Sequence, residues 1–525
     1  MFFRLVFYRI DLPVRLQMKN FIERYTTMKL NYKRTILVGF AFFLISAFWQ
    51  AYDAIVPLIL TNHYGLPQTA SGAVMAIDNI LAVFLLPLFG AISDKVCTRL
   101  GKRTPFILVG TIAAVAAFIS LTFIDAIQLR AILNTDIAQR YQEASVLLKE
   151  ANEALKAAGK AGNDLAVSSA QASIDAINAT IEQIRVDTIN VTLSNLWPLI
   201  SFIGVLLLVL ISMATFRSPA VALMPDVTVK PLRSKANAII NLMGTAGGIL
   251  VLVLGIVFKT SGNKYMQYTG YVIAVCAIMV TGLCIFLSTV KERKWAAEME
   301  EETRALGIDA TTEEVADTSR KLSKAEFKSL LLILASVALW YIGYNSITSK
   351  YSVYATNVLF FDFNLTLIIA QAAAVITYIP VGMIASKIGR KKTILIGVVL
   401  LASAFLIGHF ISFDTPEILM YPVFILAGIG WATINVNSFP MVVELARGGD
   451  VGKYTGYYYT ASMAAQTVAP ILSGVLYDAF GMRSTFFTFG AFFVAMAFIT
   501  MFFVKHGDSK PTPKKSALES LDVDD

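Results

Sequence analysis

Charge is scarce in this chain. Only 15% of its 525 residues are Asp, Glu, Lys or Arg, while 56% are hydrophobic. Soluble domains carry about 25% charged residues, so a water-exposed globular fold is excluded and a membrane protein is indicated. Cysteine is scarce too: Cys97, Cys276 and Cys284 lie in or beside apolar segments, which excludes a disulfide framework. The three histidines, His63, His409 and His506, are too scattered for a site, and no phosphate-binding glycine loop, metal-ligand cluster, HExxH or GxSxG pattern occurs. Neither an enzyme nor a cofactor or metal is therefore expected. No N-terminal apolar run ends in a small-residue cleavage site, so no secretory signal is read. The first 27 residues are basic and patchily apolar, which suits a cytoplasmic surface helix or a start at Met28.

What is present is a series of long apolar runs. A spanning helix needs about 20 mostly apolar residues. Twelve such stretches occur, at 35–59, 70–92, 105–124, 197–221, 236–258, 269–290, 328–348, 364–386, 393–413, 418–443, 454–476 and 484–504. The expected fold is an all-α membrane protein of twelve transmembrane helices in two six-helix bundles, residues 35–290 and 328–504. A polar cytoplasmic linker, 291–327, joins them, with cytoplasmic termini at 1–34 and 505–525. With the N-terminus inside, 33 of the 44 Lys and Arg fall on the cytoplasmic side and only Lys259, Lys264, Lys350 and Arg483 on short outside connections. That asymmetry sets the orientation. It also explains the net charge of +8, so no nucleic-acid partner is expected.

The two halves echo each other. Trp49-Gln-Ala-Tyr52-Asp53 in span one answers Trp340-Tyr-Ile-Gly-Tyr344-Asn345 in span seven. Gly90-x-x-x-Asp94-Lys95 with Gly101-Lys102-Arg103 follows span two, and Gly382-x-x-x-Ser386-Lys387-x-Gly389-Arg390-Lys391 follows span eight. Internal duplication with a site at the repeat interface is a common plan of secondary transporters. The loop after span two resembles the signature loop of the major facilitator superfamily, stretched by four residues, with Ser386 replacing the acid in the second copy. The stretched form, and the stretch from Ser218 to Leu250 with Pro219, Asp226 and Arg233-x-x-x-Asn237, are similar to sucrose–proton symporters and the wider glycoside–pentoside–hexuronide cation symporters. The resemblance implies a latch at the inner gate, formed by Gly90, Asp94, Gly101 and Arg103, with Asp226, Arg390 and Glu444 as further gate residues. Physically, Gly90 permits close helix approach, and the Asp94 carboxylate can accept hydrogen bonds from helix N-termini or from Arg103. Positive-inside anchoring alone would need neither that Gly nor that Asp.

Charge within the bilayer costs several kcal/mol by most scales, so each intramembrane acid is a functional candidate. Asp53 and Asp78 are the clearest, in the outward parts of spans one and two, and are expected to load and release a proton; Arg217 is the expected counter-charge. Sodium-coupled relatives carry paired acids where this chain has Ala82 and Leu86, so the proton is the expected coupling ion. Sucrose symporters carry an Arg where this chain has Val221, one turn beyond Arg217. A pyranose has an apolar face and a polar rim, so a sugar site pairs aromatic platforms with amides. Trp49, Gln50, Tyr52, Asn79, Trp340, Tyr344, Asn345, Gln371, Trp431, Asn435 and Asn437 supply both kinds of group.

Residues 125–195 read as an extracytoplasmic antiparallel coiled-coil hairpin, with Leu133, Ile137, Tyr141, Ala144, Leu148, Ala151 and Leu155 answering Ile174, Ile177, Ile181 and Ile184 around a turn at 159–164. Its role is either docking of an unknown extracytoplasmic partner or passive elaboration. The function expected is sugar–proton symport by alternating access in the plasma membrane, the sugar being a disaccharide or glycoside. The alternatives are a carrier of lipids, drugs or other amphiphiles and a non-transporting sensor or adaptor.

Overall fold

The computed structural model describes residues 30–229, 232–305, 322–445 and 451–506. Most of the N-terminal segment with Met28, the middle of the linker and most of the C-terminal tail lie outside the described residues. Helices account for nearly all the rest. In the first half these are α1 (Tyr32–Leu58), α2 (Gln68–Lys95), α3 (Thr104–Leu133), α4 (Ile137–Lys160), α5 (Asp164–Ser194), α6 (Trp197–Asp226), α7 (Arg233–Val257) and α8 (Thr269–Thr289). The second half has α9 (Glu292–Ala305), α10 (Lys324–Thr348), α11 (Tyr351–Tyr354), α12 (Phe363–Ile388), α13 (Arg390–His409), α14 (Met420–Val443), α15 (Val451–Phe480) and α16 (Met482–Phe502). A single π-helical turn ends α1 at Ile59–His63, and another follows α11 at Ala355–Leu359.

Among the described residues, ten helices are long and apolar enough to cross a membrane: α1, α2, α3, α6, α7 from Lys235, α8, α10, α13, α14 with the turn before it, and α16. In α12 the apolar stretch is shorter, Phe363–Tyr378. The expected eleventh span lies in α15, whose first turns carry Tyr454, Tyr457, Tyr458, Tyr459 and Thr460. Large apolar side chains face outward around the bundle, among them Phe84, Ile200, Val257, Ile376 and Phe410, the surface expected of helices solvated by lipid.

Helices α1, α3, α6 and α8 pack on one another in the first half, with α2 against α6 and α7 against α1; α10, α13, α14, α15 and α16 form the matching pack in the second, with α12 against α14. The halves meet along α2 against α15 and α7 against α12. The duplication visible in the sequence is repeated here in the two π turns at equivalent places, and single π turns often mark functional points.

One boundary differs from the sequence reading. The third span was expected to end at 124, but α3 continues unbroken to Leu133. Asp125, which reads as the end of an apolar run, is buried and sits 2.7 Å from His63 Nδ1. Gln128 donates to the His63 carbonyl and to Thr192 Oγ1. These internal partners satisfy the polar groups, so the helix has no reason to stop. Beyond it, α4 and α5 pack antiparallel around a turn at 161–163, where Gly162 has φ +64°. Ile137, Tyr141 and Ala144 meet Ile184 and Tyr265, and Arg140 pairs with Asp187 at 2.8 Å. Leu133, expected in that seam, is instead exposed, because it belongs to the last turn of α3.

Candidate functional site

A cavity of about 630 Å³ lies between the halves, lined by α1, α6, α7, α10, α12 and α14 with a few residues of neighbouring elements. Its first-half wall comes from one stripe of α1, Phe42, Ile45, Ser46, Trp49, Gln50 and Asp53, whose spacing of three and four keeps them on one face. Arg217 of α6 joins them. Tyr344, Asn345, Gln371, Trp431 and Asn435 line the second-half wall. The volume falls in the range of about 300–1,000 Å³ usual for small-molecule sites.

Each half contributes an aromatic platform. Trp49 is held edge-on by Phe48 and Tyr52, both at 5.3 Å between ring centroids. Tyr344 and Trp431 stack at 3.7 Å, nearly coplanar, with Tyr341 against the Trp431 edge at 5.3 Å. A hydrogen bond between side-chain amides joins the halves at this cavity: Gln371 Nε2 donates to Gln50 Oε1 at 2.6 Å. Asn345 donates to the Tyr341 carbonyl of its own helix, which leaves its carbonyl oxygen as an acceptor at the wall.

Asp53 opens onto this cavity. Asp78 does not. It lines a separate recess of about 10 Å³ with Trp49, Leu81, Ala82, Leu86, Leu210, Ala214 and Arg217, room for about one water. Asn79 Nδ2 donates to the Asp78 carboxylate at 2.8 Å. Trp49 and Arg217 line both spaces, and the guanidinium carbon lies 5.7 Å from the indole centroid. The two acids thus stand on either side of a shared partition made of one ring and one cation.

Four expected contact residues lie elsewhere. Tyr52 is fully buried, facing Phe48 and the rest of the first-half core. Trp340 is fully buried on the α10 stripe that includes Ser336, Val337, Gly343 and Ile347 and packs on α16. Asn437 is buried and donates to the Thr433 carbonyl. Asn79 sits beside Asp78 and off the cavity. Tyr52 and Asn79 each sit one position from a lining acid and Asn437 two from Asn435, steps that carry a side chain to another face of its helix; Trp340, four before Tyr344, is held by the contact of α10 with α16.

The residues expected to form a gate gather in two clusters, one in each half. Arg103, 6% exposed, donates from Nε to Asp226 at 2.7 Å and from its terminal nitrogens to Asp94 and Ser93 Oγ. The repeat gives the second half a counterpart, Arg390 Nη1 to Glu444 Oε2 at 2.7 Å. Gly101 turns the loop with φ +125°, a conformation that favours glycine, and a Cβ there would strike Glu292. Gly90 packs against Ser218 of α6.

Glu292 was not legible as part of this cluster. It opens α9, is buried, and its carboxylate accepts from the backbone of Lys102, Arg103 and Thr104 and from Thr104 Oγ1. This caps the N-terminus of α3 from another element. The His63–Asp125 pair was likewise missed; an Asp at the edge of an apolar run was its only signal.

Two family models match this chain. One, described as Major Facilitator Superfamily, covers residues 360–522. The other, MFS/sugar transport protein, covers 37–127. The MFS-type transporter ppzB of Metarhizium rileyi (strain RCEF 4871) is 29% identical over 114 residues, a stretch that spans 22% of this chain and 23% of that relative. Among solved structures, the inward-open xylose transporter XylE from E. coli matches with a TM-score of 0.57 at 12% identity, covering 93% of this chain and 98% of that one. The peptide transporter POT in complex with sulfate matches with a TM-score of 0.57 at 12% identity, over 90% and 93% of the two chains. Each half thus matches a family model of facilitator-type transporters, and the chain shares its fold throughout with solved transporters.

Proposed function

We propose that this chain is a membrane transporter of the major facilitator superfamily, a sugar–proton symporter working by alternating access, with twelve spans arranged as bundles 35–290 and 328–504. The cavity carries this reading: two aromatic platforms from opposite halves, with the Gln50–Gln371 hydrogen bond between those halves and an acid at the same wall. An aromatic face suits the C–H side of a pyranose, and amides suit its hydroxyl rim. The sugar expected is a disaccharide or glycoside. The side bearing Arg103 and Arg390 is taken as cytoplasmic, from the excess of Lys and Arg there, and the membrane as the plasma membrane.

The proton is favoured as coupling ion because the Asp78 recess is otherwise lined by apolar residues around Arg217, with Ala82 and Leu86 offering no second carboxylate to a sodium ion. Asp53, Asp78 and Arg217 would form the coupling set. A proton on one acid frees Arg217 from it, and the shared Trp49 partition passes that change to the sugar wall. Trp49, Gln50, Tyr344, Asn345, Gln371 and Asn435 would contact the substrate. Asp94, Arg103, Asp226, Arg390 and Glu444 would steady the inner ends of the two halves as they rock.

The test is binding to purified protein. Mono- and disaccharides and, separately, amphiphiles are titrated while intrinsic tryptophan fluorescence is followed. Saturable quenching by one sugar, lost in Trp431→Ala, is the expected result. A response to amphiphiles alone would contradict the sugar reading.

A further inference from the structure

Away from the Arg103 cluster, at the end where the hairpin emerges, the halves are fastened by polar contacts that no sequence motif announced. Asp478, near the end of α15, reaches the first turn of α2: its carboxylate accepts from Gln68 N at 2.8 Å, Thr69 N at 2.7 Å and Thr69 Oγ1 at 2.7 Å. Lys350, fully buried just after α10, donates to the Gln68 carbonyl at 3.1 Å. The two π turns meet as well, Asn357 Nδ2 donating to Asn62 Oδ1 at 2.7 Å. Every one of these contacts joins the first half to the second. The Arg103 and Arg390 clusters, by contrast, are each internal to one half.

Backbones approach closely at the same place. A Cβ on Gly72 would lie 2.0 Å from the Pro470 carbonyl oxygen, so α2 and α15 cross there with no room for a side chain. The hairpin bridges the same end. Arg185 of α5 donates to the Gly65 carbonyl, in the turn that leads into α2, while Lys156 of α4 donates to the Asp414 carbonyl of the second half at 3.2 Å.

We infer that Asp478 and Lys350 form a latch between the halves, and that its release is the step that opens the cavity toward the hairpin side. The chemistry fits a reversible fastening. A carboxylate of one half caps the free N–H groups at the start of a helix in the other, and those groups and the carboxylate can all return to water on opening. Asp478 is exposed, so its rehydration meets no barrier of burial. Lys350 gains full hydration only when the halves part. The hairpin supplies a strap of lower strength, since Lys156 is solvent-accessible.

The experiment measures distances between spin labels at Ser261 and Ile418, one on each half at this end, in the full chain with its three cysteines replaced. Asp478→Ala is expected to raise the ratio of open to closed populations by about fivefold, the effect of losing a good helix cap. Asp478→Asn, which can still accept from the backbone, should fall between Asp478→Ala and the parent. Lys350→Met should shift the ratio the same way as Asp478→Ala. Unchanged distance distributions in both Asp478→Ala and Lys350→Met would overturn the latch. If either fails to fold, Gly72→Ala replaces it, with the same outcomes. No substrate is added, so the result stands or falls apart from the sugar reading, and Lys156→Ala should change the ratio less than twofold.

Discussion

Arg103 offers the most exacting test of the paired clusters proposed as a gate. Its guanidinium, nearly buried, bonds two carboxylates and a hydroxyl, while Arg390 is seen bonding Glu444. Arg103→Gln keeps a polar side chain but removes the charge from between Asp94 and Asp226. Hydrogen bonds to charged groups contribute about 1.5–3 kcal/mol each when buried. Asp94 and Asp226 are 62% and 34% exposed at their side chains, so water replaces much of what they lose. The loss expected for Arg103→Gln is about 2–4 kcal/mol, below the upper end for breaking a fully buried pair. A double-mutant cycle with Asp226→Asn, read by reversible unfolding in mixed micelles, should return a coupling of about 1–3 kcal/mol. The same cycle on Arg390→Gln and Glu444→Gln should return a similar value, because each pair is a single hydrogen bond at 2.7 Å and the two pairs are buried to a comparable extent. A coupling near zero between Arg103 and Asp226, or values for the two pairs that differ by more than about 2 kcal/mol, would overturn this.

Three further outcomes follow from named contacts. Glu292→Gln weakens a carboxylate that serves four donors at the start of α3, so thermal unfolding in detergent should occur several degrees lower, whereas Glu301→Gln, at an exposed position of α9, should change it little. Tyr344→Ala removes the partner stacked on Trp431 and should weaken binding of the preferred sugar at least tenfold while leaving the unfolding temperature within a few degrees, a contrast measured by titration and melting on the same preparation. With the latch closed, burial depresses the Lys350 ammonium to about 7, against the opposing pull of Asp478; in water it returns to about 10.4. The open form therefore holds more protons between about pH 7 and 10, so closure should strengthen as pH rises through that window and be insensitive to this group below it. Spin-label distances across the window test this, and Lys350→Met should remove that part of the pH dependence.

Much of the architecture was legible because lipid imposes a plain rule: about 20 apolar residues make a span, and basic residues mark one side. The pairing of Arg103 with Asp226 and of Arg390 with Glu444 was legible in part, since these residues recur at matching places in the two halves. The cavity wall was legible where the sequence put an aromatic, an amide and an acid on one stripe, as at Trp49, Gln50 and Asp53. Register is what the residue types could not reveal. Trp340 and Tyr52 carry the same chemistry as the lining aromatics yet pack into the core. Contacts between distant segments were equally hidden: Glu292 on the start of α3, Asp478 on the start of α2 and His63 on Asp125 each join residues more than 60 positions apart. No local pattern encodes such pairs. They arise when the helices pack and free helix ends find a carboxylate.

In the proposed cycle, sugar and proton move together through the cavity between the halves. Uptake of labelled mono- and disaccharides into proteoliposomes under an imposed inward proton gradient, with Asp78→Asn and Asp53→Asn beside the parent protein, tests this. One sugar is expected to accumulate above its outside concentration, a protonophore to abolish the accumulation, and at least one of the two substitutions to do the same while leaving sugar exchange intact. Correctly inserted protein that moves no sugar, or that accumulates sugar equally without the gradient, would contradict it.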